Sequence, residues 1–550
     1  SVEDPEREGD WQSRGLVIGD VQSGKTTHFI GFANKAIDTG YKVVVVLSGL
    51  HNNLRRQTQI RFEEGVSGWN TQTKQSERPF CGVSDPPPEH IKPYDLKINH
   101  LTTRDDKGDF LSNRETGLKL GSDCVYSINK KNYRTLENLI KFFEIELEGV
   151  SDRQSVPLLL IDDEADNASI DTSRPDEESS RINGLVKKLL NLFPKNSYVG
   201  YTATPFANIL INPDEEDDLF PRNFLMTLGR PDNYIGPKEI FGMVNDEGDE
   251  EDVEIIEREI TFRWFVNLDA APFSSDWEDF IPSPNRADSI EFMIELPLSL
   301  KQAIYSFILA VTVRNLRGDQ FEHKTMLIHA TRLKDLQNRL RDLVSDFIDE
   351  IYAAFTVSQL DNPNEHFEIL RNIFNKTFSS IQEEWEEIAP NLSNTVSLLK
   401  NHVYGINGDN KDVIDEEEYP NGLNSIRIGG DKLSRGLTLP GLMTSYFLRV
   451  SRMYDTLMQM GRWFGYRNNY EDLCRVFTTA QLFNWFGHVA NSSESLRSRI
   501  FEMNELDLTP TEYRQQVQSH PGAMLVTALN KQRYTREISL TFSEELAQIT

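Results

Sequence analysis

The feature that most limits how this chain can fold is a series of short apolar runs without polar alternation. In the N-terminal part they are GLVI (Gly15–Ile18), KVVVVLS (Lys42–Ser48), CVYSI (Cys124–Ile128), VPLLLI (Val156–Ile161) and YVGYT (Tyr198–Thr202). A strand with one face in water alternates apolar and polar residues, whereas a strand covered on both faces does not. Helical patterns such as LENLIKFFEIEL (Leu136–Leu147) lie between the runs. Buried strands alternating with helices specify a parallel α/β sheet wound on both faces.

A second series repeats the pattern: TMLIHA (Thr325–Ala330), HVYGI (His402–Ile406), SIRIG (Ser425–Gly429), TSYFL (Thr444–Leu448) and CRVFT (Cys474–Thr478). The expected architecture is therefore α/β with two parallel-sheet lobes, in keeping with a chain of 550 residues, too long for one core. The boundaries read as 11–212 for the first lobe, 213–290 for an acidic insertion, 291–490 for the second lobe and 491–550 for a C-terminal helical extension. Residues 333–399 are helical in pattern and longer than one crossover needs, so they read as a helical insert.

Charge and composition exclude some classes. A formal net charge of −28 argues against a generally basic nucleic-acid-binding surface and leaves room only for a local basic cleft. The acidic stretches PDEEDD (Pro213–Asp218) and NDEGDEEDVE (Asn245–Glu254) read as solvated loops. The longest apolar run, Ala303–Val313, falls short of the ~20 residues that span a bilayer. Cys81, Cys124 and Cys474 are scattered and fit neither a zinc site nor a disulfide framework, which suits a reducing cytoplasm. The chain opens on Ser1, not on Met, and is read as a fragment lacking an N-terminal region.

Chemistry enters at GDVQSGKTTHF (Gly19–Phe29), which fits G-x-x-x-x-G-K-[ST] with Gly19, Gly24, Lys25 and Thr26 in the fixed places. A strand precedes it and a helical pattern follows, so it is a strand–loop–helix turn. Gly19, Gln22, Ser23, Gly24, Lys25, Thr26 and Thr27 form the candidate phosphate cradle, with backbone N–H groups and the helix N-terminus facing the ligand. Lys25 would reach the β/γ-phosphates and the Thr26 hydroxyl would ligate magnesium.

LLLIDDEADNAS (Leu158–Ser169) places carboxylates at the C-terminal edge of a strand, where such sheets hold ligands. Asp163 is favoured for the metal with Asp162 as competitor, and Glu164 would orient or deprotonate the attacking water. Next comes YTATPFAN (Tyr201–Asn208), a candidate coupling loop whose Thr202 and Thr204 hydroxyls can bond Asp166.

The second series carries GGDKLSRGLTLPGL (Gly429–Leu442), where Arg435 and Gly436 could face the first lobe, and DTLMQMGRWFGYR (Asp455–Arg467). Gln459 and Arg462 are expected on one helix, with Gln459 toward the nucleotide and Arg462 or Arg467 reaching a γ-phosphate as an arginine finger. Trp463, Phe464 and Tyr466 read as core packing. In LHNNLRRQTQIRF (Leu50–Phe62), Arg55, Arg56 and Arg61 are candidates for a nucleic-acid backbone, or an ordinary basic helix surface.

In this order the segments resemble the motor core of superfamily 2 helicases, with two RecA-like lobes. GLVIGDVQSGKT, LLIDDEADNAS, GYTATPFANIL, GGDKLSRGLTLPGL and QMGRWFGYR, with YIGPKEIFG (Tyr234–Gly242) and LPLSLKQAIYSFIL (Leu296–Leu309), are similar to the Z-one domain family, often labelled putative endonucleases. The resemblance implies an ATP- and magnesium-dependent DNA motor of the bacterial cytoplasm, in restriction-modification-like defence operons with a methyltransferase, a MORC-type ATPase and a separate nuclease. Lys25, Thr26, Asp163, Glu164, Thr202, Thr204, Arg435, Gln459 and Arg462 take their roles from motif position. One departure stands out: the second arginine usual three residues after Arg462 is replaced by Gly465, and the next arginine is Arg467. An adenine-reading glutamine is not placed, since Gln12 lies too close to the loop.

Two other functions compete. An endonuclease needs a metal constellation, and the sequence offers neither a Pro-Asp…Asp/Glu-x-Lys nor a His-Asn-His pattern. A regulatory nucleotide switch would keep the cradle without moving along DNA.

Overall fold

The computed structural model describes residues 2–50, 52–76, 98–105, 108–110, 120–121, 123–170, 180–213, 218–242, 263–278, 280, 294–357, 364–407, 414, 416–430, 439–513, 515–520 and 524–532. Seven strands form the first sheet: β1 (Trp11–Ile18), β2 (Val43–Ser48), β3 (Ile98–His100), β4 (Cys124–Asn129), β5 (Leu158–Asp163), β6 (Lys195–Thr202) and β7 (Phe224–Thr227). Their order is β3-β4-β2-β5-β6-β1-β7, and every pairing is parallel. The strand that ends in the Asp-Glu-x-Asp run and the strand that feeds the phosphate loop are thus separated by β6 alone. That order sets the cradle, the carboxylates and the Thr-Ala-Thr-Pro loop side by side at one sheet edge.

The central strands are buried along their whole length, as unalternating apolar runs require. Helices α1 (Lys25–Thr39), α2 (Asn52–Phe62), α3 (Tyr133–Glu148) and α4 (Arg181–Asn191) connect or flank them. Gly40 ends α1 in the left-handed conformation, φ 117°, and its N–H caps the last turn.

The second sheet has the order β9-β15-β13-β10-β12-β11. Its strands are β9 (Phe265–Asn267), β10 (Lys324–His329), β11 (Val403–Ile406), β12 (Asn424–Gly429), β13 (Leu442–Phe447) and β15 (Arg475–Thr478), all paired in parallel. Two-residue strands β8 (Tyr234–Ile235) and β14 (Gly465–Tyr466) pair separately and antiparallel. Helix α5 (Leu298–Leu316) is buried from Leu300 to Arg314 except at Lys301 and Gln302. It is apolar nearly all round, as a core helix must be, and each buried Leu, Ile or Phe contributes about 1.5–3 kcal/mol. Among the described residues no helix is long and apolar enough to cross a membrane.

The stretch 333–399 contains α6 (Lys334–Val357), α7 (Glu365–Thr377), the turn Trp385–Ile388 and α8 (Leu392–Leu399). Residues 213–290, read from their charge as an insertion, also supply β7 to the first sheet and β9 to the second. These are short edge strands, half-buried in places, so no unbroken apolar run announces them. Asn245–Glu254 lies outside the described residues.

The lobes share one hydrophobic cluster, which includes Leu16, Ile18, Ala165 and Phe206 of the first and Tyr454, Leu457 and Met458 of the second. Helices α9 (Tyr454–Met460) and α10 (Ala480–Glu505) carry the join. The α10 helix leaves the end of β15 and runs back onto the first lobe, where Asn504 donates to the Leu225 carbonyl at 3.1 Å and Arg497 to the Leu228 carbonyl at 2.9 Å.

Arg55 corrects one expectation. Its side chain is fully buried and donates to the carbonyls of Thr103 at 2.9 Å and Asp105 at 2.6 Å. It braces a loop and does not face solvent. Arg56 is half-buried and Arg61 is exposed. We expect Arg55→Met to take the donor from the Thr103 carbonyl, at about 1–3 kcal/mol per unsatisfied group, while the Asp105 carbonyl keeps the Gly108 N–H at 2.8 Å. The check is the denaturant midpoint, and an unchanged midpoint would contradict a bracing role.

Candidate functional site

The phosphate loop leaves β1 with the Gly19 N–H donating to the Thr202 carbonyl at 3.1 Å, so cradle and coupling loop are tied at their bases. Gln22 and Gly24 both take left-handed backbone, φ 60° and 92°, which turns the loop over the start of α1. At Gly19 a Cβ would come within 2.8 Å of Lys25 Cγ, because the lysine stem passes directly over it. The first back-bonded amide of the helix is that of His28, to the Gly24 carbonyl at 3.2 Å. The Lys25, Thr26 and Thr27 amides thus head the helix without intrahelical acceptors, ready for an anion.

Lys25 Nζ donates to the Asp20 carbonyl at 2.8 Å. Burial holds its ammonium below the usual lysine range, opposed by the negative charge of Asp163, Asp20, Glu164 and Asp166. The same crowding acts on Asp163 in the other direction. Burial, then Glu164, raises its carboxyl to about 6, against the pull of Lys25 and Lys131. A buried carboxylate under such pressure gains most from a cation, so Asp163 suits a magnesium ion and Lys25 suits phosphate. Among the described residues no group of three or more His, Cys, Asp or Glu could hold a metal by itself. The ion's remaining ligands would therefore be phosphate, water and the Thr26 hydroxyl.

Asp162 is otherwise engaged. It is fully buried, ion-paired with Lys131 at 2.7 Å, and accepts from the Tyr198 hydroxyl at 2.6 Å. Of the two adjacent aspartates, Asp163 is the one without an ion-pair partner among the described residues.

Asp166 is the hub of the site. One carboxylate oxygen accepts from the Thr202 hydroxyl at 2.9 Å and the other from the Gln459 amide at 2.7 Å. Gln459 also donates to the Thr204 hydroxyl at 3.0 Å, and Thr204 N–H donates to Thr202 Oγ1 at 2.9 Å. Gln459 belongs to α9 of the second lobe, so the sequence placed it on the correct helix. Its partners are the coupling residues and not the cradle.

Arg462 lies beyond α9, which stops at Met460, so the expectation of one shared helix is corrected; Gly461 ends the helix. Arg462 is half-buried, and its charge, with that of Arg449, acts on the buried His329 at the end of β10. Arg467 is buried and folds back on its own turn, donating to the carbonyls of Tyr466 at 2.8 Å and Trp463 at 2.9 Å. Trp463 and Phe464 are core residues as expected. Tyr466 is not, since its hydroxyl reaches the first lobe and donates to the Ser23 carbonyl at 3.1 Å. Arg435 and Gly436 lie outside the described residues.

Three features were not legible in the sequence. Tyr234 on β8 donates to the Val21 carbonyl at 2.6 Å, so paired β8 and β14 each rest a tyrosine on the phosphate loop. Asp20 of that loop accepts from Arg230 at 2.8 Å and from Arg497 of α10 at 3.0 Å, while Glu494 pairs with Arg230. Lys531 donates to the Asp166 carbonyl at 2.8 Å, and Thr527 to Asp455 at 2.8 Å. No motif flags them, because most of the acceptors are backbone carbonyls or residues hundreds of positions away.

Fold and site together define a two-lobed α/β protein with two parallel sheets and a phosphate-loop turn at the edge of the first. Within it, residues 299–525 match the family model described as Z1 domain, so the resemblance in the motifs holds across the second lobe. The comparison with curated proteins gave no match. Among solved structures, the chain is similar to S. cerevisiae Dbp5 bound to RNA and ADP BeF3, at 12% identity and TM-score 0.35, over 86% of this chain and 82% of that one. It is also similar to the DUF1998 helicase MrfA bound to DNA, at 12% identity and TM-score 0.39, over 88% and 47%. A fragment of a putative HsdR subunit of a type I restriction enzyme from Vibrio vulnificus YJ016 matches at 10% identity and TM-score 0.35, over 86% and 62%.

The two arginines are separable by experiment. Arg467→Ala removes the donor from buried carbonyls, so we expect a lower melting temperature. If Arg462 is the arginine finger, Arg462→Ala should still bind ATP yet hydrolyse it slowly, since fingers contribute about 10³–10⁵ in rate. Normal hydrolysis by Arg462→Ala would remove it from that role.

Proposed function

We propose that the chain is a nucleic-acid-dependent ATPase of the helicase or translocase type, acting on DNA in a bacterial restriction-modification-like system. The observation that carries this reading is the contact of Gln459 with Asp166 and Thr204. A second-lobe side chain there bonds the end of the acidic run and the coupling loop at once. A change at the phosphates can thus reach the second lobe through two hydrogen bonds.

In this reading the Gly24–Thr27 backbone and Lys25 hold the triphosphate, and Thr26 and Asp163 hold magnesium. When bound, the ion would neutralise charge on the phosphates. Glu164 orients the attacking water and takes its proton. Asp166 passes the state of the site to Thr202, Thr204 and Gln459. Motion of one lobe on the other would then step contacts along a strand. Strand cleavage is assigned to a partner nuclease from the same operon, beside a methyltransferase and a MORC-type ATPase.

One observation favours a second reading, an ATP-driven switch. The lobes share a core, and α10, the β8–β14 pair and the Asp20–Arg230–Arg497 cluster all bridge them, which limits opening.

Steady-state ATP hydrolysis, with and without single- or double-stranded DNA, separates the readings. The motor predicts strong stimulation by DNA and loss of about 100-fold or more of that rate in Glu164→Gln, with ATP still bound. Hydrolysis indifferent to DNA would favour the switch, and wild-type rates in Glu164→Gln would move the catalytic base elsewhere.

A further inference from the structure

We propose that Lys131 is a positioning residue that fixes Glu164 by its backbone. The proposal rests on the reading of Glu164 as the group that handles the attacking water. Lys131 follows β4, and its own N–H donates to the Gly49 carbonyl just past β2, at 2.9 Å. From there the side chain crosses the end of β2 to the end of β5, fully buried. Its ammonium meets Asp162 Oδ1 at 2.7 Å, the Glu164 carbonyl at 2.6 Å and the Asn167 carbonyl at 3.0 Å. Of the three N–H donors an ammonium has, two are engaged by the Glu164 and Asn167 carbonyls, and Asp162 Oδ1 lies at ion-pair distance.

Two of those partners are carbonyls of the acidic loop, which is more than neutralising Asp162 requires. Glu164 has left-handed backbone, φ 53°, a region that costs a residue with a Cβ and persists only where its surroundings impose it. Its surroundings are specific. The Glu164 carbonyl accepts from Lys131 and from the Asn167 N–H at 2.9 Å, and the Glu164 N–H donates to Asp163 Oδ1 at 3.1 Å. The carboxylate hangs over Gly49, where a Cβ would stand 3.7 Å from Glu164 Oε2. Lys131 therefore sets the peptide from which the carboxylate is suspended, and does so from a third strand end, independent of cradle and coupling loop.

The test uses Lys131→Met alone and combined with Asp162→Asn, which removes both charges of the buried pair. Amide hydrogen exchange over residues 164–169, ATP hydrolysis and thermal melting are measured on each. In the double variant we expect a folded chain with a modestly lower melting temperature, exchange over 164–169 about tenfold faster or more while the rest of the first sheet exchanges as in wild type, and kcat down about 10- to 100-fold. KM for ATP should stay nearly unchanged. Wild-type exchange and wild-type kcat in the double variant would overturn the proposal, reducing Lys131 to a counter-ion. A wild-type chain without ATP hydrolysis would strike the functional reading instead, and the exchange measurement would still decide the role of Lys131.

Discussion

The carboxylate of Asp166 is the point on which the arrangement turns. It accepts a hydroxyl from its own lobe and an amide from the other, and it is buried. Charge-assisted hydrogen bonds in such surroundings are short and directional. A carboxylate there does not drift to a new partner, so rotation of the Thr202–Thr204 loop must either carry Gln459 with it or break the contact. The carbonyl of the same residue is held by Lys531, which adds a third constraint from the far end of the chain.

Around this hub the lobes are joined at several points of different chemistry. Phe206 and Tyr454 pack edge to face at 5.6 Å, and Phe241 stacks on Phe486 at 5.2 Å. Tyr234 and Tyr466 hold the outer turn of the phosphate loop by its carbonyls, while Arg230 and Arg497 hold the Asp20 carboxylate. The cluster leaves that carboxyl below its usual range, with burial opposed by both guanidinium groups and Lys25. An acid inside a phosphate loop would repel a triphosphate. Pairing it with two arginines removes most of that cost and makes the loop's charge balance depend on Arg230 and on Arg497 of α10.

Much of the fold was legible because buried parallel strands leave unbroken apolar runs. Every such run that was singled out lies on a strand, within a few residues at either end. The edge strands Phe224–Thr227 and Phe265–Asn267 were not legible, since an edge needs neither length nor an apolar face. The cradle, the acidic run and the threonine loop could be read because their chemistry demands fixed residue types at fixed spacing. What failed was direction. Arg55 lies on a basic helix but points inward to carbonyls, and Tyr466 lies in an aromatic cluster but points across the lobes. Lys131 and Lys531 escaped notice because backbone acceptors leave no trace in side-chain patterns.

The central claim is that Asp166 transmits through Gln459 and Thr202 as one unit, and a double-mutant cycle tests it most directly. DNA-stimulated ATP hydrolysis would be measured for Gln459→Ala, Thr202→Ala and the pair. Residues in one hydrogen-bond network couple by about 0.5–3 kcal/mol, whereas independent residues add. The account predicts that the second substitution costs little once the first is made. Strictly additive losses would show that the two lobes do not communicate through Asp166.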